Sequence, residues 1–175
     1  MVRRPLDAYY TPEKMLEALF KRVSISGSVY EPCVGSGHIS KFFTQRGYQV
    51  LTNDVDKKMV ADTHLDARNE CAWDRDCDWV VTNPPFSDAY DILVHAHSHA
   101  KVGVVFLLRL SFLEPCKNRE KFLLKNPPSR VLVLPRVSFT GDGGKDTVTS
   151  MWAIWERGVS TQRLEVIPRL EILHK

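Results

Sequence analysis

Short apolar runs alternate along this chain with stretches whose apolar residues recur every three to four positions, and that alternation constrains the fold more than any other feature. A strand-then-helix rhythm buries its strands side by side in a mostly parallel, doubly wound sheet with helices on both faces. The strand-like runs fall at 28–31, 48–53, 78–82, 102–108, 130–134 and 147–155. Helical spacing is expected over 37–46, 87–100 and 116–124. An opening helix precedes them, with Thr11 as cap, Pro12 in the first turn, and Met15, Leu16, Leu19 and Phe20 as its apolar stripe. The run 102–108 is the most apolar and is expected at the centre of the sheet, buried on both faces. Met151 to Trp155 reads as packing of the last strand, and the tail from Arg163 can pair as an edge strand or wrap the domain.

A chain of 175 residues, 43% of them hydrophobic, suits one α/β domain spanning 1–175. Its formal net charge of +3 permits contact with phosphate without demanding it. No stretch approaches the roughly 20 apolar residues of a membrane span, and no apolar segment follows Arg3 and Arg4 as in a signal peptide. A cytosolic protein with no membrane partner is the expectation. Cys33, Cys71, Cys77 and Cys116 match neither a paired zinc motif nor a disulfide scaffold, and are expected as reduced thiols. Cys71 and Cys77 with His64 lack a second close pair, so no metal is expected there.

Three short segments carry chemistry. Glu31-Pro32-Cys33-Val34-Gly35-Ser36-Gly37 joins a strand to a helix, where glycines let backbone amides approach a nucleotide-like cofactor; a plain tight turn is the alternative. Asn53-Asp54-Val55-Asp56 closes the second strand and would set Asp54 beside that loop, able to accept hydrogen bonds from ribose hydroxyls, or else in a solvated turn. Thr82-Asn83-Pro84-Pro85-Phe86 ends a strand with two prolines that stiffen the turn around the Asn83 amide and the Pro84 carbonyl. An exocyclic amine held there by both protons would be drawn toward the nucleophilic sp3 geometry, with Phe86 stacked on its ring.

These segments resemble the amino-methyltransferases of the Rossmann-like class I fold, and among them the N6-adenine DNA methyltransferases of bacteria and phages, including those of restriction-modification systems. The resemblance covers most of the chain. It implies S-adenosylmethionine as cofactor, with Tyr9, Tyr10 and Thr11 at the methionine carboxylate, Glu31, Pro32, Gly35 and Gly37 in the cofactor loop, Asp54 at the ribose, Val55 also at the cofactor, and Asp66 at the adenine amine. Asn83, also at the cofactor, Pro84, Pro85 and Phe86 match the catalytic signature. Arg109 is similar to a residue at phosphate or the site rim, with a structural ion pair as its alternative. The segment from Pro135 to Gly141 resembles a loop over the substrate pocket, making Arg136 and Phe139 substrate-side candidates. The cofactor loop precedes the catalytic tetrad, as in the gamma arrangement, whose target-recognition domain has no counterpart here. Site reading is therefore expected from short loops near residues 140–145, from a partner protein, or hardly at all.

The implied reaction is direct transfer to a flipped adenine of double-stranded DNA, without a covalent enzyme intermediate, since no Pro-Cys nucleophile sits by the catalytic strand. Pro115-Cys116 lies after the next strand. Methylation of adenine in structured RNA, or of glutamine in protein, uses similar tetrads and stays open. A silent fold serving as a partner subunit is the non-enzymatic alternative.

Overall fold

The computed structural model describes residues 11–136 and 148–173. Strands β1 (Val29–Glu31), β2 (Val50–Thr52), β3 (Trp79–Thr82) and β4 (Gly103–Arg109) run parallel. After them β5 (Arg130–Val133) and β6 (Ser150–Glu156) form an antiparallel pair, and β6 inserts antiparallel beside β4. β7 (Arg163–Val166) adds at the edge, parallel to β5, so the tail supplies an edge strand and then a short helix, α5 (Arg169–Leu173). The seven-stranded order is β2-β1-β3-β4-β6-β5-β7. The expected α/β architecture is thus found, mostly parallel with one reversed strand near the carboxyl end.

Helices α1 (Glu13–Phe20) and α2 (His38–Thr44) cover one face, and α3 (Ala89–His99) and α4 (Lys117–Lys125) the other. The pleat divides each strand between two apolar layers. Val105, Leu107, Trp152 and Ile154 join Met15, Leu16, Leu19 and Phe43 on the first face. Val104, Phe106, Leu108, Ala153 and Trp155 join Leu93, Ala96 and Trp73 on the second. Trp152 is fully buried and its indole N–H donates to the Met15 carbonyl at 3.0 Å, as last-strand packing requires.

The ends of elements shift by a few residues from the sequence reading, and one shift changes a role. Pro12, with ψ of 137°, takes the position before α1, so Thr11 does not cap the helix. Thr11 then lies one residue ahead of the capping position, which leaves its hydroxyl to a partner elsewhere.

Gly103 is required by packing. A Cβ on it would lie 2.5 Å from the Trp79 ring and 2.9 Å from the Trp155 carbonyl oxygen, at a register where Trp79 pairs with Gly103 across β3 and β4. Gly103→Ala is expected to overpack both sides of the central strand and cost about 2 kcal/mol, a fall of roughly 4–8 °C in Tm by thermal denaturation. An unchanged Tm would show that the tryptophan moves aside freely.

Candidate active site

In an open parallel sheet, ligands bind beyond the carboxyl ends of the strands where the strand order reverses. Here β1 is followed by β2 on one side and β3 on the other, so the crevice opens above these three strands. A cleft at that place is lined by Glu31 to Ser36 from β1, Asp54 to Asp56 from β2, and Asn83 to Pro85 from β3, with Thr11, Asp66 and Arg68 at its borders. Val34, Ile39, Val55, Met59 and Ile92 add apolar wall.

The loop after β1 is shaped by two glycines at positive φ, Gly35 at 51° and Gly37 at 76°, the latter in the left-handed position that starts α2. Asp54, 9% exposed, holds this loop: its carboxylate accepts from the Gly35 amide at 2.7 Å and the Asp56 amide at 2.9 Å. Asn53 braces the neighbouring segments. Its side chain donates to the Pro32 and Leu65 carbonyls and accepts from the Leu65 amide and the Thr63 hydroxyl, all within 3.0 Å. The sequence does not announce this role, because the partners lie 10 to 21 residues away.

Glu31 is 1% exposed and accepts from the Ser40 amide at 2.7 Å. Burial holds its carboxyl well above the usual carboxylate range, outweighing the Ser40 hydrogen bonds that favour ionisation; the nearby Asp54 charge adds to the rise. Burial likewise raises the Cys33 thiol far above its ordinary value, helped by the nearby Asp54 charge, so this sulfur is a poor nucleophile. Cys33, Cys71, Cys77 and Cys116 are all free thiols in this structure.

Asn83 leaves the end of β3, and its Nδ2 donates to the Thr11 hydroxyl at 3.2 Å. Thr11 is buried, so the bond fixes which end of the amide faces α1 and leaves Oδ1 as the end available for a donor in the cleft. Pro84 and Pro85 follow along the wall, and the Pro85 carbonyl accepts from Asp88 to start α3. Phe86 lies outside the cleft lining, where the Arg109 guanidinium stands 4.2 Å over its ring. Arg109 Nε is buried without a hydrogen-bond partner among the described residues.

Asp66 lines the cleft with its carboxylate already gripped by Arg68, Nε to Oδ1 at 2.9 Å and Nη2 to Oδ2 at 2.6 Å. Arg68 also reaches Asp88 at 3.7 Å. Neither Arg68 nor Asp88 stood out in sequence. Of the candidates named there, Thr11, Glu31, Pro32, Gly35, Asp54, Val55, Asp66, Asn83, Pro84 and Pro85 converge on one cleft, and Gly37 shapes it. Arg136 is exposed at the carboxyl end of β5. Tyr9, Tyr10, Phe139 and the segment 140–145 lie outside the described residues.

No protein-family model and no curated protein matches the chain. Solved structures match it closely in shape. The type I restriction-modification methyltransferase subunit from Streptococcus thermophilus superposes with a TM-score of 0.62 at 15% identity, over 87% of this chain and 46% of that one. A candidate class I S-adenosylmethionine-dependent methyltransferase from Listeria monocytogenes gives 0.64 at 14% identity, over 94% and 68%. The fold is that of the class I methyltransferases. A candidate RNA methyltransferase from Pyrococcus horikoshii is covered over 90% of its length, with a TM-score of 0.63 at 16% identity over 88% of this chain. The chain therefore spans about half the length of the Streptococcus subunit and nearly all of the Pyrococcus protein. Among the described residues, no helix is long and apolar enough to cross a membrane.

Proposed function

We propose that this chain transfers a methyl group from S-adenosylmethionine to the exocyclic N6 amine of adenine in DNA. One observation carries the reading: an asparagine followed by two prolines ends the strand beside the switch-point crevice, with its amide oriented by a buried hydroxyl. The donor set fits the cofactor. Glu31 offers a buried carboxyl for a cationic amine, Asp54 a carboxylate for hydroxyls, Gly35 a close backbone approach, and Val34, Val55 and Met59 an apolar wall. When bound, S-adenosylmethionine supplies an electrophilic methyl on a sulfonium.

The residues of the chain then act on the acceptor nitrogen. Its lone pair is delocalised into the base, so Asn83 Oδ1 and the Pro84 carbonyl accept its two protons and favour the pyramidal form. Phe86 offers a face for the base once Arg109 yields it, and Arg136 stands exposed for phosphate. The high proton affinity of Cys33 suits transfer without a covalent enzyme intermediate. The Streptococcus subunit favours DNA as substrate and a partner protein for site reading; the Pyrococcus likeness keeps structured RNA as the second reading.

The deciding experiment supplies labelled S-adenosylmethionine with unmethylated duplex DNA, single-stranded DNA or structured RNA, and identifies the product by nucleoside mass spectrometry. N6-methyladenine in DNA supports the reading; label in RNA alone moves the substrate, and no label despite cofactor binding overturns it. A subtler variant tests orientation. Thr11→Val keeps shape and burial but removes the acceptor for Asn83 Nδ2, so the amide can turn over, and kcat is expected to fall roughly tenfold, the equivalent of one hydrogen bond. Unchanged kcat would show that Thr11 does not orient the amide.

A further inference from the structure

A cluster on α3 and the turn at Glu70 has no part in the proposed reaction. His95 and His99 sit one helical turn apart, and the carboxylate of Glu70 lies between them: Oε2 is 2.9 Å from His95 Nδ1 and Oε1 is 2.9 Å from His99 Nε2. The other nitrogen of each ring faces a backbone carbonyl, His95 Nε2 that of Arg68 at 2.9 Å and His99 Nδ1 that of His95 at 2.8 Å. A carbonyl only accepts, so each of those nitrogens carries the proton. In the charged rings the remaining N–H groups, Nδ1 of His95 and Nε2 of His99, donate to the Glu70 carboxylate, and in the neutral rings lone pairs face it instead. A metal cation can take the place of those protons, because the three ligand atoms lie within 4.8 Å of one another.

We propose that Glu70, His95 and His99 bind a divalent transition cation, zinc fitting best. Two imidazoles and one carboxylate suit zinc and exclude the all-oxygen preference of calcium and magnesium. The committed N–H groups fix the tautomers, which is how histidine ligands are held in metal sites. Both rings also lie against the buried Trp73 indole, at centroid distances of 6.1 and 5.8 Å, and Trp73 is itself anchored through its N–H to the Ala67 carbonyl at 2.9 Å. Ligand atoms around tetrahedral zinc stand about 3.3 Å apart for metal–nitrogen bonds near 2.05 Å, so the 2.9 Å contacts open only slightly. Glu70 is 73% exposed, which leaves the remaining coordination position to water. The bound ion would staple the segment carrying Asp66, Ala67 and Arg68, which borders the cleft, to the helix that follows Phe86.

The test uses untagged full-length protein, stripped with chelator and titrated with zinc alone by calorimetry, with metal content confirmed by mass spectrometry. One equivalent of zinc and a raised Tm are expected. His95→Ala, His99→Ala and the exposed Glu70→Gln are each expected to weaken binding by at least about a hundredfold, because losing even an outer-shell partner costs 10- to 100-fold. His97→Ala, on the same helix but packed against Phe122, is expected to leave it unchanged. Absence of saturable binding, or binding that survives the three ligand variants, overturns the site and leaves protons holding the cluster. Methyl transfer is not read, so this outcome is separate from that of the proposed reaction.

Discussion

Replacing Asn83 with alanine is expected to cut methyl transfer about a hundred- to a thousandfold while cofactor affinity stays within about tenfold, the scale seen when one preoriented polar group is removed from a reacting centre. The asymmetry follows from when the hydrogen bond matters. As the acceptor nitrogen pyramidalises it gains positive charge, its protons become stronger donors, and the bond to Asn83 Oδ1 strengthens beyond its value in the ground state. An interaction gained at the transition state appears in kcat, so both kcat and kcat/KM fall together. Asn83→Asp keeps an acceptor in the same place, and Thr11 can donate its hydroxyl proton to it, so that variant is expected to retain much more activity than alanine. Single-turnover rates with saturating cofactor decide the matter. Equal rates for Asn83→Ala and the unaltered protein would move the chemistry away from this turn.

The parts of the site that were legible in sequence are those whose chemistry is local. A glycine-bearing turn after a strand, an acid at the end of the next strand, and an Asn-Pro-Pro run each announce a backbone shape within a few residues, and the strand–helix alternation predicts that all three reach one edge of the sheet. The edge strand β7 was also foreseeable as one of two options, because Arg163-Leu164-Glu165-Val166 alternates polar and apolar residues over too short a run to choose between pairing and wrapping.

What stayed hidden depends on distance along the chain. Thr11 looks like a helix cap because threonine before a proline-started helix usually is one; only the fold brings Asn83, 72 residues on, to its hydroxyl. The pairing of Arg68 with Asp66 is local, yet sequence gives no means of telling a pair held at a cleft from one in solvent. The Glu70, His95 and His99 cluster is half visible, since the two histidines share a helix face, but its carboxylate comes from a turn 25 residues earlier. Cys71, Cys77 and His64 are the metal candidates that sequence spacing offers, and the structure buries Cys77 while leaving Cys71 exposed.

Glu31→Gln separates the two duties of the buried acid, fold and cofactor. Burial keeps the carboxyl protonated to well above the usual carboxylate range. A folded value raised above the unfolded one gives stability that is full below the unfolded pKa and is lost as pH rises through the folded one. Glutamine is neutral at every pH and its Oε1 still accepts from Ser40, so the variant is expected to match the native Tm only below about pH 4, under the unfolded carboxyl's pKa, and to exceed it by a growing margin as pH rises above that. Cofactor affinity moves the other way. A cationic amine favours the ionised acid, so binding should release a proton from Glu31 and tighten with rising pH until the acid ionises unaided. Glutamine loses that charge-assisted bond, worth about 1.5–3 kcal/mol, which is roughly a 10- to 150-fold weakening. Calorimetry in two buffers of different ionisation enthalpy reads the released proton directly, and the variant should show none. If native protein binds without proton release, and Glu31→Gln binds as tightly, the acid serves only to anchor α2, and the cationic end of the cofactor must be met by other residues of the cleft.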